Sequence, residues 1–199
     1  TLPEKTEEVV TQVVEYTSDS VPEEKITVNT GKAEITLTNK GGDIISYELL
    51  DHKDKDGYVQ MADSISEMNR ACSISFGNAV NSIINENFKV TKHNDLTYSF
   101  SKEFTVKNLD GSSSTFVLTK KYTFNENDYL FKLDVTIDGN DQMEYLDFSN
   151  SAYTLRTSPQ IGPYFDRKKD KYENNFQVCR IVCFIIRAVA LSACTDSLV

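Results

Sequence analysis

The stretch YLFKLDVTIDG, residues 129–139, decides the fold class of this chain. Apolar side chains alternate along it with polar ones. The apolar positions are Tyr129, Phe131, Leu133, Val135 and Ile137. Because successive side chains of a strand point to opposite faces, this pattern predicts a long strand with one buried and one solvated face. Phe131 and Leu133 should be buried, whereas Lys132 and Asp134 should be exposed.

Two hairpins are predicted around turn signals. TFVLTKKYTF, residues 115–124, should pair with the decisive strand across the turn NEND. Nearer the start, KITVNT and AEITLTN place Ile26, Val28, Ile35 and Leu37 on one face, and NTGK forms the turn between them. The next turn is NKGGD, where the two glycines can adopt a positive φ.

The other segments also alternate with short turns, and only one predicts a helix. MADSISEMNR, residues 61–70, is a short helix candidate. The charged run DHKDKDG, residues 51–57, is a predicted loop, and NLDGSSS is a predicted turn. Further strands are predicted in IISYELLD, CSISFG, NFKVTKH and LTYSFSKEFTVKN. About ten strands with little helix predict an all-β, antiparallel sandwich, because parallel strands would need crossover helices.

Composition limits the classes of function. The chain has 199 residues, 39% of them hydrophobic and 26% charged, and a net charge of −9. This composition is typical of a folded globular domain, and the negative charge disfavours nucleic acid and anionic membrane surfaces as partners. The chain starts at Thr1, and we identify no signal peptide there. Residues 1–24 are predicted to be a linker or an outlying strand.

No catalytic, cofactor or metal site is predicted. His52 and His93 lie in charged or turn segments and are expected to be solvated, so a histidine-dependent triad lacks support. Cys72 is expected to be a small buried hydrophobe. Cys179, Cys183 and Cys194 fall near the end, without the paired spacing of a zinc site. The 30 aspartate and glutamate residues are scattered along the chain, so no particular pair is indicated as the acid and base of a glycosidase.

Three stretches of the sequence together resemble one family. TNKGGDIISYELLDHKD (residues 38–54) and KKYTFNENDYLFKLDVTIDG (residues 120–139) are similar to two hairpins of the large periplasmic domain of YidC membrane-protein insertases. LRTSPQIGPYFDRKKDKYE, residues 155–173, is similar to a later crossing loop of some members. The resemblance covers about residues 25–175.

The resemblance implies a β-supersandwich, similar to carbohydrate-binding and mutarotase-like folds, on the periplasmic side of the bacterial inner membrane. Residues 25–177 would be this domain, and residues 1–24 would follow a transmembrane helix. The family's membrane-embedded working parts match nothing here, so no catalytic or partner-binding residue is carried over. The implied partners are components of the Sec translocon and nascent membrane proteins.

Two segments near the end are interpreted separately. In the loop from Thr157 to Pro163, two prolines are expected to fix a structural crossing, after which the run RKKDKYE would lead back toward the membrane. Residues 178–199, VCRIVCFIIRAVALSACTDSLV, depart from the family and are interpreted as a foreign tail or a membrane-proximal segment. The tail should pair with an open sheet edge or drive dimerisation, and edge pairing is favoured.

Three functions remain in competition. The leading hypothesis is a non-enzymatic periplasmic domain of an insertase and chaperone, which contacts partners or nascent chains. The alternative is a sugar-binding or mutarotase-like enzyme, which would need an acid and a base converging in a cleft. A plain structural spacer is the third.

Overall fold

The computed structural model describes residues 13–15, 21–53, 57–62, 65–77, 82–107, 112–139, 153–157 and 185–188. Within these ranges the chain forms strands and no helix. The strands are β1 (Val13–Glu15), β2 (Lys25–Asn29), β3 (Ala33–Thr38), β4 (Asp43–Lys53), β5 (Tyr58–Gln60), β6 (Ser73–Phe76), β7 (Lys89–Asn94), β8 (Thr97–Lys107), β9 (Ser113–Phe124), β10 (Phe131–Gly139), β11 (Tyr153–Arg156) and β12 (Ile185–Ala188). The all-β prediction is confirmed.

Two sheets enclose the core. The larger sheet has the order β1-β8-β9-β10-β12, and β7 also pairs with β8; the smaller has the order β2-β3-β4-β5. β6 and β11 form a separate two-stranded sheet. All the pairs are antiparallel except β10 with β12, which run parallel. Aromatic rings from β6, β8 and β9 meet in the core, where Phe76 lies edge-on to Phe104 and Phe116.

The decisive strand has the predicted faces. Phe131, Leu133 and Val135 are buried, while Ile137 and Tyr129 are only partly buried and pack at the rim of the core. β10 begins at Phe131, so Tyr129 belongs to the turn that precedes it. Lys132 and Asp134 lie on the outer face but are only partly exposed. Their side chains lie close to each other and form an ion pair of 2.8 Å.

Both predicted hairpins are confirmed. β9 pairs with β10 from Phe124↔Phe131 to Phe116↔Gly139. β2 pairs with β3 from Lys25↔Thr38 to Asn29↔Glu34. The two glycines of NKGGD have φ values of +69° and +62°, as the turn requires.

The predicted helix at residues 61–70 is wrong. Its described residues, 61–62 and 65–70, contain a tight turn in which Ser66 and Asn69 exchange backbone hydrogen bonds of 3.1 Å. Serine and asparagine compete with helical bonding, and the adjacent Ala71 is bridged to Ile44 of β4. Tertiary pairing therefore overrides a weak local preference.

The predicted loop at residues 51–57 is partly wrong, because β4 continues through His52 to Lys53. His52 and His93 are both exposed, as expected. His52 lies on β4 rather than in a loop, whereas His93 lies near the end of β7, where a strand was predicted.

The terminal segments are described only in part. β1 pairs with β8, which agrees with the outlying-strand interpretation of residues 1–24. β12 pairs with β10 from Lys132↔Ile185 to Val135↔Ala188, which agrees with the favoured edge pairing of the tail. Residues 108–111 of the predicted turn, residues 158–163 of the crossing loop, the run 167–173 and Cys179, Cys183 and Cys194 lie outside the described residues.

Candidate functional site

A cluster of charged side chains lies buried between the two sheets. Lys120 of β9 and Asp43 of β4 are 0% exposed and form an ion pair through Nζ and Oδ1. Arg70 is 3% exposed, and its Nε lies 2.9 Å from Asp43 Oδ2. Each oxygen of this one carboxylate is therefore bonded to a different cation.

The other hydrogen bonds of both cations go to backbone carbonyls and to one side-chain amide. Lys120 Nζ donates to the carbonyl oxygens of Gly41 at 3.0 Å and Cys72 at 2.7 Å. Arg70 donates to the carbonyls of Glu67 and Ile84, the latter at 3.0 Å, and to Asn85 Oδ1 at 2.8 Å. Burying these charged groups without such bonds would cost much free energy of folding. The hydrogen bonds therefore make the burial of the cluster possible.

Gly41 and Gly42 allow the turn between β3 and β4 to approach this cluster closely. The carbonyl of Gly42 accepts a hydrogen bond of 2.8 Å from the Tyr122 hydroxyl, beside Lys120. A Cβ on Gly42 would lie 2.8 Å from Phe100 Cβ, and its φ of +62° disfavours any other residue. The motif Gly41-Gly42-Asp43 thus brings two carbonyls and a carboxylate to the larger sheet.

Cys72 contributes its carbonyl rather than its thiol. Its φ is +62°, which is uncommon for a residue with a side chain. Its amide donates to the Thr157 carbonyl at 2.9 Å, and its own carbonyl faces Lys120. The side chain is buried, as predicted, and burial raises the pKa of the thiol to about 12. A thiol in this state is a poor nucleophile.

A second polar cluster lies on the surface, where the β9–β10 turn meets β4. Asp51 accepts hydrogen bonds from Lys32 and from the Tyr129 hydroxyl, the latter at 3.0 Å. The bond from Lys32 is the main reason that the pKa of Asp51 is lowered. The Tyr47 hydroxyl donates to the Tyr129 carbonyl, so both the backbone and the side chain of Tyr129 are bonded to β4.

The histidines singled out in the sequence contact other groups. The His52 ring lies 5.8 Å from that of Tyr129, and His93 Nε2 lies 2.8 Å from Ser99 Oγ. They belong to strands of different sheets, and within the described ranges neither is paired with a buried carboxylate. Among the described residues, no group of three or more His, Cys, Asp or Glu is arranged to hold a metal.

The buried charge cluster was not predicted from the sequence, although one sign of it was present there. In TFVLTKKYTF, Lys120 falls in phase with Phe116, Leu118, Tyr122 and Phe124, all of which are buried. A lysine that alternates with buried apolar residues lies on the buried face of the strand, where its charge requires a buried partner. Nothing in the local pattern identifies Asp43 or Arg70 as that partner.

Comparison with known proteins identifies the family. A family model described as the YidC periplasmic domain matches residues 25–165. The membrane protein insertase YidC of Treponema denticola is 42% identical, over 76% of this chain and 27% of its own length. That of Treponema pallidum is 29% identical, over 73% of this chain and 29% of its own length.

The chain spans less than a third of the length of these relatives. No solved structure matches the chain significantly. No helix among the described residues has the length and apolar character needed to cross a membrane. Because the family match extends over more than half of its residues, the chain belongs to the YidC membrane-protein insertase family. Residues 25–165 match the family's periplasmic domain, which lies on the periplasmic side of the inner membrane.

Proposed function

We propose that this domain serves a YidC-type insertase as a non-catalytic module that contacts partner proteins during membrane-protein insertion and folding. The partners we propose are nascent membrane proteins and components of the Sec translocon. The observation that carries the proposal is the match of residues 25–165 to the family's periplasmic domain. The names of both Treponema relatives agree with it.

The use of the buried charges supports a non-catalytic role. Catalytic acids and bases must reach a substrate and commonly lie in clefts. Asp43 and Lys120 are fully buried, and the atoms described above bond to the fold itself. This arrangement is typical of a structural connection between sheets rather than of a reaction centre.

The exposed surface supports protein partners. The net charge of −9 disfavours nucleic acid. Among the described residues, the large hydrophobic side chains that are exposed are Tyr58, Met68 and Leu130. Aromatic and methionine side chains are enriched in protein interfaces, so Tyr58 and Met68 are suitable positions for probes, and Leu130 is a further exposed apolar position.

The experiment uses a full-length insertase that carries this domain. A photo-crosslinking residue is placed at Tyr58, Met68 or Leu130, and at half-buried Thr119 of β9 as a comparison. We expect crosslinks to a nascent membrane protein or to a Sec component from at least one position, and slower insertion of a reporter when residues 25–165 are deleted. Absent crosslinks together with unchanged insertion would favour a plain spacer and overturn the proposal.

The sugar-active alternative has its own test. Calorimetry of the domain against a panel of monosaccharides should show no binding at millimolar concentrations. Millimolar or tighter binding accompanied by turnover would overturn the non-catalytic proposal, even if the crosslinks were found.

A further inference from the structure

The turn that precedes Arg70 presents a methionine at its tip. Ser66 and Asn69 exchange backbone hydrogen bonds of 3.1 Å, which leaves Glu67 and Met68 as the two residues between them. Met68 is 57% exposed, the highest value among the exposed large hydrophobic residues that the structure describes. Arg70 Nη1 donates to the Glu67 carbonyl and so anchors the base of the turn. The methionine is therefore held at the surface on a fixed support.

Asn85 lies against the sulfur of this methionine. Its Nδ2 donates a hydrogen bond to Met68 Sδ at 3.7 Å, and its Oδ1 accepts one from Arg70 Nη1 at 2.8 Å. A guanidinium group can only donate, so the amide oxygen must face Arg70 and the NH2 group must face the sulfur. Arg70 is itself 3% exposed and bonded to Asp43 and to the Ile84 carbonyl. The orientation of the Asn85 amide is thus fixed from the interior.

Met61 provides a comparison in the same segment. Its side chain is partly buried and packs against the hydrophobic core, and its backbone amide donates to the Tyr47 carbonyl at 2.8 Å. Oxidation of methionine follows the exposure of the sulfur. The fold therefore offers Met68 to a small oxidant and partly shields Met61. Met143 lies outside the described residues.

We propose that Met68 is a reversible oxidation site, at which a peroxide converts the thioether to the sulfoxide and Asn85 decides which of the two sulfoxide epimers forms in excess. A lone pair of Sδ attacks one oxygen of hydrogen peroxide and the O–O bond breaks. The proton of the transferred oxygen passes to the departing hydroxide, which leaves as water. The sulfur loses two electrons, and the peroxide gains them.

The hydrogen bond from Asn85 makes the two faces of the sulfur unequal. Attack through one lone pair gives one epimer, and attack through the other gives the opposite epimer. The Asn85 amide binds one lone pair, so an incoming oxidant meets two different environments. Methionine sulfoxide reductases restore the thioether, with one enzyme for each epimer.

Oxidation of Met68 changes the surface rather than the core. The sulfoxide is polar whereas the thioether is apolar, so the tip of the turn loses its apolar contact area while Arg70 still anchors its base. The periplasm is an oxidising compartment, and the site does not depend on which partner the domain contacts.

The test is limited oxidation of the whole chain by hydrogen peroxide. Cleavage of the unfolded product after Glu67 by a Glu-specific protease places Met61 and Met68 in different peptides, and mass spectrometry gives the rate of oxidation for each. The epimer ratio at Met68 is the ratio of the fractions that the two stereospecific reductases restore.

Asn85→Asp is the main variant, because a carboxylate still accepts from Arg70 but cannot donate to the sulfur. The matched control is Asn94→Asp, because Asn94 Oδ1 also accepts a hydrogen bond, from the Leu96 amide at 2.9 Å, in another turn. The unsubstituted chain in urea gives the epimer ratio without the fold.

We expect Met68 to be oxidised at least about fivefold faster than Met61, with one epimer in about threefold excess. The ratio should fall to about one in Asn85→Asp and in urea, and it should be unchanged in Asn94→Asp. Similar rates for the two methionines would overturn the proposal. Equal epimers in the folded chain, or an excess that persists in Asn85→Asp, would overturn it as well. If Asn85→Asp does not fold, Asn85→Ala takes its place with the same expectation.

Discussion

Lys120 and Asp43 lie 77 positions apart in the sequence and form an ion pair with both side chains fully buried. The pair joins β9 of the larger sheet to β4 of the smaller one. Arg70 bonds to the second oxygen of the same carboxylate, so three separate segments of the chain meet at one point.

Replacing Lys120 by methionine should lower the free energy of unfolding by about 3–5 kcal/mol. Removing one partner of a buried ion pair leaves the other without full compensation. Chemical denaturation measures the loss. The control is Lys121→Met, because Lys121 is next in sequence but faces outward and is half-exposed. That change should stay within about 0.5 kcal/mol. Equal effects of the two substitutions would contradict the assigned faces of β9.

Phe131→Ala should lower the free energy of unfolding by about 3–5 kcal/mol, as large truncations in a core do. Phe131 is 3% exposed, and its ring packs against Tyr122 and Phe124. Lys132→Ala is the control on the outer face and should have a much smaller effect. A loss below about 1 kcal/mol for Phe131→Ala would mean that the faces of β10 are misassigned.

Gly42→Ala should destabilise the domain more than Gly57→Ala. Both glycines have a positive φ, so both substitutions strain the backbone. A Cβ at Gly42 would also lie 2.8 Å from Phe100 Cβ, whereas a Cβ at Gly57 meets nothing within 4 Å. Overpacking adds about 1–3 kcal/mol to the strain. Thermal melting of the two variants compares them, and similar melting temperatures would show that Phe100 moves aside without loss.

Stability should fall as the pH rises above about 9. Burial raises the pKa of the Cys72 thiol to about 12, and it raises the pKa of Tyr122 well above its usual value of 10.0. A raised folded-state pKa contributes stability below the unfolded pKa, and that contribution is lost as the pH approaches the folded pKa. Denaturation at pH 7, 9 and 10.5 measures this, with Cys72→Ala as the variant that should show a shallower decline. A flat profile would contradict the burial of both groups.

Truncation after Gln177 should lower the melting temperature, because it removes the strand that pairs with Lys132 to Val135. For a chain of this size, each kcal/mol lost corresponds to about 2–4 °C. Truncation after Leu191 is the matched control, since it keeps β12. Gel filtration shows whether the exposed edge of β10 causes association. An unchanged melting temperature together with an unchanged monomer peak would show that the tail has no part in the fold.

The sequence by itself determined the class of fold, the two predicted hairpins and the buried faces of their strands. Period-two alternation is a local property, and turns such as NTGK and NKGGD need only their own residues to form. Thus the positions of Phe131 and Leu133, and the positive φ of Gly41 and Gly42, could be predicted without knowledge of the other sheet.

Only the tertiary structure decided which residues meet between the sheets. The alternation of residues in β9 was enough to place Lys120 on the apolar face. Its partners, however, come from a hairpin and a turn far away in sequence, and no local pattern indicates that these segments meet Lys120. The same cause made residues 61–70 a wrong helix prediction, because the turn there presents Arg70 to Asp43. Asn39 opens the predicted turn NKGGD, and only the tertiary structure shows that its side chain bonds to Pro22, Glu24 and Phe88. Long-range polar contacts are set by how the strands assemble, and that information is spread over the whole chain.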